Sequence, residues 1–128
     1  MRILSGMQPT GFLHLGNYIG ALKVWVNLQN DPSNEMYYFI ADLHSLTSNQ
    51  AKYKDETNVY IFNMVVDWLA SGIDPEKSTV FLQSDVPEHT ELFTILSMIT
   101  PGAWLERNPT YKEKMEEIVD KELDNLGF

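Results

Sequence analysis

Residues Met36-Tyr37-Tyr38-Phe39-Ile40-Ala41-Asp42 (MYYFIAD) form a short run that is apolar or aromatic up to its closing aspartate. It is too brief for a helix and shows no polar alternation, which is the pattern of a strand buried on both faces. Such strands belong to parallel sheets, so the run sets the class of the fold. Two similar runs flank it, Ile3–Ser5 and Thr79–Gln83 (TVFLQ). Between them lie longer segments of helical period. Tyr18, Leu22, Trp25, Val26 and Leu28 make one apolar stripe; Val59, Phe62, Val65, Val66 and Leu69 make another, closed by Ser71-Gly72 as a helix C-terminus, before Asp74-Pro75 turns the chain. A further helix is expected from Glu88 to about Ile99, stopped by Thr100-Pro101-Gly102 because proline cannot continue the hydrogen-bond ladder. The last, from Tyr111 to Leu126, sets Met115, Ile118, Val119, Leu123 and Leu126 on one face and pairs Glu117 with Lys121. The order β-α-β-α-β-α predicts an α/β fold with a doubly wound parallel sheet, since parallel strands need helical crossovers.

Composition narrows the function classes. A chain of 128 residues with 44% apolar content can bury one core, so one compact domain or a piece of one is expected. With no cysteine there is neither a disulfide framework nor a thiolate metal site, which fits a reducing cytoplasm. A formal net charge of -9 opposes non-specific attraction to a nucleic-acid backbone, so any RNA contact must be local. No apolar run is long enough for a signal peptide or a membrane span, and the chain reads as soluble and cytoplasmic. It contains no internal repeat, low-complexity segment or obvious linker.

Glycines concentrate between the first strand and the first helix, from Gly6 to Gly16, where open α/β sheets bind ligands beyond the carboxyl ends of their strands. Glycine there lets backbone approach a ligand closely, and a helix N-terminus offers free N–H groups to phosphate. Gly6, Gly11, Gly16 and Gly20 do not make the G-x-G-x-x-G fingerprint, and no Gly-Lys-Ser/Thr follows, so this is a nucleotide loop of another kind.

The string SGMQPTGFLHLGNYIGAL, Ser5 to Leu22, resembles the signature of the tryptophanyl-tRNA synthetases, class I aminoacyl-tRNA synthetases. His14-Leu15-Gly16-Asn17 matches the HIGH motif of that class with asparagine in the last place. Four further pieces agree in the family's order: Ala41 to Thr47 (ADLHSLT), Gly72-Ile73-Asp74-Pro75, Gln83 to Leu92 (QSDVPEHTEL) and Leu105 to Lys112 (LERNPTYK). The tyrosine-specific sibling shares the P-T-G…H-L-G core, while Met7-Gln8 before it and Asn17-Tyr18-Ile19-Gly20 after it favour tryptophan.

What the resemblance implies is a two-step reaction: the carboxylate of tryptophan attacks the α-phosphate of ATP, and the adenylate then gives its acyl group to the terminal ribose of tRNA(Trp). The protein positions groups and stabilises charge, with Mg2+ arriving on ATP rather than on a metal site in this chain. By the same resemblance His14 and Asn17 are the catalytic residues, with His14 on a phosphate oxygen. Gln8, Pro9, Thr10, Gly16 and Asn17 bind ATP, and Leu4, Gly6 and His44 lie near the tryptophan pocket.

Each residue also has a plainer reading. His14 can be a first-turn helix residue with its ring in solvent, and His44 can simply bond a neighbouring carbonyl. His89 reads as structural, fixing a strand-to-helix turn with Ser84 and Asp85. Trp25, Trp68 and Trp104 read as core or interface residues. The run Lys112-Glu113-Lys114-Met115 reads as a solvated helix face, not as the KMSKS signature.

Set beside the family, the chain looks like an N-terminal fragment of the catalytic domain, truncated before the KMSKS loop, the acid that binds the tryptophan side chain and the anticodon-binding domain. This half alone is then expected to activate tryptophan weakly or not at all. The first strand of a doubly wound sheet is usually central; here the strands for its other side are missing, so Ile3–Ser5 is expected at an open edge through which the fragment self-associates. The complete enzymes are homodimers, and Leu92–Leu105 is a candidate for that interface. A non-catalytic nucleotide-binding or self-associating fragment is the alternative from a different class.

Overall fold

The computed structural model of the chain describes residues 1–46 and 56–113. They fall into two compact units, Met1–Val86 and Pro87–Phe128. The first holds strand β1 (Arg2–Met7), a helical run made of α1 (Leu15–Asn17), a π turn (Tyr18–Leu22) and α2 (Lys23–Gln29), then β2 (Glu35–Ile40), α3 (Asp42–Ser45), α4 (Thr57–Ala70), β3 (Ser78–Leu82) and a 3-10 turn (Gln83–Asp85). The second holds α5 (Glu88–Ile99) and α6 (Gly102–Leu105).

The strands form one parallel sheet in the order β1-β2-β3, with Leu4 opposite Tyr37, Gly6 opposite Phe39 and Tyr38 opposite Val80. This is the expected α/β arrangement, with β1 at an edge among the described residues. Strand bounds shift slightly. β1 gains Arg2 and Met7, which pair with Glu35 and Ile40. β2 stops at Ile40 because Ala41 leaves the extended region (φ -84, ψ 62) and Asp42 opens α3, its Oδ1 accepting the Leu43 N–H at 3.0 Å.

The core lies on one face of the sheet. Met36, Tyr38 and Ile40 point to it at the two-residue period of a strand and are buried with Leu22, Trp25, Met64, Trp68 and Ile73. Trp25 stacks on Tyr38 (centroids 4.6 Å apart, planes 13°) and meets Trp68 edge-on (5.2 Å, 87°). The buried Tyr38 hydroxyl donates to the Trp25 carbonyl at 2.9 Å, and burial pushes its pKa up to about 12. Gln29 joins the layers: its Nε2 donates to the Gly72 carbonyl at 2.6 Å, and its Oε1 accepts from the Asp74 N–H (3.0 Å) and the Ser78 hydroxyl (2.9 Å). α4 ends as Ser71-Gly72 predicts. Gly72 takes φ +104, its N–H bonds the Leu69 carbonyl and the Ile73 N–H bonds the Trp68 carbonyl, the paired bonds of a Schellman closure.

Two expected stripes change. Tyr18 does not join Leu22 and Trp25 in the core but is 43% exposed. The π turn is the cause: the Lys23 N–H bonds the Tyr18 carbonyl five residues back, and the added residue turns the start of the helical run away from the buried stripe. On α4, Val59, Phe62, Val66 and Leu69 are exposed, while Met64 and Trp68 are buried and Ile61 and Val65 pack against them. The helix carries apolar residues around most of its girth, so periodicity alone could not choose the inward face; the largest side chain, Trp68, takes it by meeting Trp25.

In the second unit α5 has the expected bounds, with extended Thr100 ahead of Pro101. Trp104 is exposed, so it lies in no core among the described residues. Residues 109–113 are helical, and the rest of the helix expected at Tyr111–Leu126 lies outside the described residues. Among those described, no helix is long and apolar enough to cross a membrane.

Candidate active site

Parallel strands bring their carboxyl ends to one side of the sheet, and all the predicted site residues lie on β1 or at that side. Leu4 and Gly6 occupy β1 two residues apart, hence on one face, opposite to the buried one. Gly6 has a specific reason to be glycine: a Cβ there would stand 2.5 Å from the Phe39 carbonyl oxygen and 2.7 Å from its ring. Phe39 and Phe81, in neighbouring strands, bring their rings to 5.9 Å on the same face, and Leu4 is 59% exposed there.

After β1 the chain turns through Gln8, the buried Pro9 and Thr10, whose N–H bonds the Gln8 carbonyl at 2.9 Å, and then through Gly11 at φ +156. His14 follows as the N-cap of the helical run. Its Nδ1 accepts the Gly16 N–H at 3.1 Å, while its own N–H donates to Oδ1 of Asn17 at 3.0 Å. This is a capping box with histidine in the place usually held by serine or threonine. Gly16 completes it, because a Cβ there would lie 2.9 Å from the His14 ring. The plain reading of His14 as a first-turn helix residue is therefore correct as far as it goes, and it constrains the chemistry. A ring nitrogen that accepts a hydrogen bond carries no proton, so with Nδ1 engaged by Gly16 it is Nε2 that is left to donate. Asn17 has Oδ1 engaged and keeps its amide Nδ2 as a donor.

His44 lies in α3, just past the end of β2, where the Ala41 N–H bonds the Met7 carbonyl at 2.8 Å and ties the ends of β1 and β2 together. The structure thus places Gln8, Pro9 and Thr10 in the turn after β1, His14, Gly16 and Asn17 at the start of the helical run, Leu4 and Gly6 on one sheet face, and His44 just past the end of β2. Two residues that sequence reasoning passed over also stand here. Asp42 Oδ1 accepts the Ser84 N–H at 3.0 Å, and Gln83 Oε1 accepts the His44 N–H at 3.0 Å. Their signal was present, since each is an acceptor side chain at the end of an apolar run. His89 is half-buried in the first turn of α5. Among the described residues, groups with a displaced pKa include Glu35 and Asp31, away from this side: hydrogen bonds from Tyr37 and Arg2 lower the Glu35 carboxyl, and hydrogen bonds from Ser33 lower Asp31.

The comparisons with known proteins agree on one family. The family model described as tRNA synthetases class I (W and Y) matches residues 1–127. The tryptophan–tRNA ligase of Ralstonia nicotianae is 50% identical over 127 residues, covering 99% of this chain and 31% of that protein. That of Fusobacterium nucleatum is 56% identical over 114 residues, covering 89% of this chain and 34% of that protein. Among solved structures, tryptophanyl-tRNA synthetase from Campylobacter jejuni complexed with ADP and tryptophan superposes with TM-score 0.79 at 43% identity, over 91% of this chain and 35% of that one. The Mycoplasma pneumoniae enzyme superposes with TM-score 0.78 at 34% identity, over 89% of this chain and 33% of that one. The chain spans about a third of the length of the curated relatives it matches.

Proposed function

The chain belongs to the class I tRNA synthetases (W and Y), and on that premise we propose that the whole protein is a tryptophan–tRNA ligase, with residues 1–128 forming part of a Rossmann-like catalytic domain. The observation that carries the reading is the HIGH-type turn His14-Leu15-Gly16-Asn17 after β1, where Nδ1 of His14 accepts the Gly16 N–H and leaves Nε2 as the donor.

In the reaction, a carboxylate oxygen of tryptophan attacks the α-phosphorus of ATP, the bond from that phosphorus to the bridging oxygen breaks, and pyrophosphate leaves. A ribose hydroxyl of tRNA(Trp) then attacks the acyl carbon, and AMP departs. The side chains need form no covalent bond. His14 donates from Nε2 to a phosphate oxygen as charge builds, and Asn17 donates from Nδ2. Gly16 offers bare backbone to the adenosine, and Gln8, Pro9 and Thr10 line the ATP side of the turn. Leu4, Gly6 and His44 face tryptophan. Mg2+ carried by ATP would share the charge of its phosphates. With a net charge of -9 on these 128 residues, the tRNA contacts they make are local.

The test is ATP–pyrophosphate exchange by the whole protein with tryptophan or tyrosine, repeated with His14→Ala and Asn17→Ala. Exchange that requires tryptophan and falls about 100-fold in each variant is expected. Removing the cap also costs about 1 kcal/mol of helix stability, so the variants are assayed where circular dichroism shows them folded. Exchange with tyrosine alone would make the protein the sibling enzyme. Exchange with neither would leave a non-catalytic nucleotide-binding protein.

The reading extends to assembly and place. α5 buries none of its side chains, and Leu92, Phe93, Ile95, Leu96, Met98 and Ile99 stand exposed along it. We take this surface as the contact of a homodimer in the cytoplasm, and the edge that β1 forms among the described residues as a second route by which the 128-residue chain associates with itself. A monomeric mass by light scattering at high concentration overturns both.

A further inference from the structure

We propose that Asp42 and Gln83 are positioning residues that lock together the turns after β2 and β3 and so hold His44 against the substrate. The inference rests on the tryptophan-activating function proposed above. The structural basis is a reciprocal exchange: the turn after β2 lends Asp42 Oδ1 to the Ser84 N–H, and the turn after β3 lends Gln83 Oε1 to the His44 N–H, both at 3.0 Å. The two parallel strands that carry these residues, β2 and β3, pair with each other only as far as Ile40 and Leu82. Beyond that register the strand pairing ends among the described residues, and the two side-chain bonds continue the connection. Asp42 is anchored at both ends of its residue. Its Oδ1 also accepts the Leu43 N–H at 3.0 Å, and its carbonyl accepts the Ser45 hydroxyl at 2.6 Å. Gln83 is likewise held, its carbonyl accepting the Val86 N–H at 3.2 Å.

The chemistry of the acceptors matters more than their charge on one side of this bracket and includes charge on the other. A carboxylate shared by two backbone N–H groups is a charge-assisted acceptor, so Asp42 supplies the stronger bond. Gln83 supplies a neutral amide oxygen to the His44 N–H. Losing either leaves a backbone amide at the site without its acceptor and lets the His44 turn drift, and a drift of a fraction of an ångström is felt by a bound substrate.

Two measurements on the whole protein test this. The first is amide hydrogen exchange. Asp42→Ala should speed exchange at Ser84 about tenfold or more and, because the bracket acts as a unit, at His44 as well; Gln83→Met should do so at His44 first. Asp42→Asn and Gln83→Glu keep an acceptor oxygen and should restore protection. The second is pyrophosphate exchange kinetics. Asp42→Ala and Gln83→Met should raise KM for tryptophan about tenfold and leave KM for ATP within about twofold, with the acceptor-keeping variants near wild type. Unchanged amide exchange in both loss variants overturns the bracket. Faster amide exchange with an unchanged tryptophan KM overturns its role in positioning. A wild-type protein without tryptophan-dependent exchange overturns the parent reading and the substrate half of this inference together, while the amide data still decide whether the bracket exists. Should Asp42→Ala not fold, Gln83→Met at the other arm decides both questions.

Discussion

Met36, Tyr38 and Ile40 leave β2 on one side and Tyr37 and Phe39 on the other, yet the two faces of the same sheet have different fates. On the first, α2 and α4 close over the strands and Tyr38, Trp25 and Trp68 interlock with nothing exposed. On the second, Leu4 is largely exposed, Phe39 lies over a glycine, and Tyr37 and Phe81 are half-buried. The aromatic content of the faces is similar. What differs is whether a helix with large inward side chains covers them. A closed aromatic face contributes stability, and an open one leaves apolar surface for a ligand, so substitutions on the two should separate stability from activity.

The largest separation is expected at Trp68. Trp68→Ala should lower the free energy of unfolding by about 3–5 kcal/mol in urea titration, the cost of emptying a buried aromatic site. A loss below about 1 kcal/mol would mean the closed face is not the core. Next is Gln29→Met, which keeps the volume but leaves the Gly72 carbonyl, the Asp74 N–H and the Ser78 hydroxyl without their partner. It should cost about 1–3 kcal/mol, read from the same titration. On the open face Leu4→Ala should change stability by less than about 0.5 kcal/mol and raise the tryptophan KM of the whole protein about tenfold. A stability loss there as large as at Trp68 would erase the distinction. The smallest effect at neutral pH belongs to Tyr38. Its folded pKa, raised to about 12 by burial, exceeds the ordinary tyrosine value, so it favours the folded state fully below about pH 10 and less as pH climbs toward 12. Thermal melts should show that alkaline loss in the wild type and a flatter profile in Tyr38→Phe.

Strand identity was legible because three short apolar runs separated by helical segments leave few alternatives to a parallel sheet. The site was legible for a different reason. Glycines at Gly6 and Gly16 stand where helix or strand propensity disfavours them, and each proves to have a neighbour that a Cβ would strike. The inward face of α4 was not legible. Val59, Phe62, Val66 and Leu69 are as apolar as the residues that are buried, and the choice depends on Trp25, more than thirty residues earlier in the chain. The position of Tyr18 was also hidden, since a π turn changes the helical phase without a strong sequence mark; Gly20 within it meets no obstruction that would betray it.

The sequence by itself determined the order of the elements, the parallel class of the sheet, the closure of α4 at Gly72 and the family to which the chain belongs. These follow from local preference and from motifs a few residues long, which need no partner distant in the chain. Only the tertiary structure decided which aromatic face is covered and that Asp42 and Gln83 each accept a hydrogen bond from the opposite turn. Both depend on groups distant in the sequence and brought together by packing, where covering apolar rings and pairing backbone amides selects one arrangement among several that the local sequence allows.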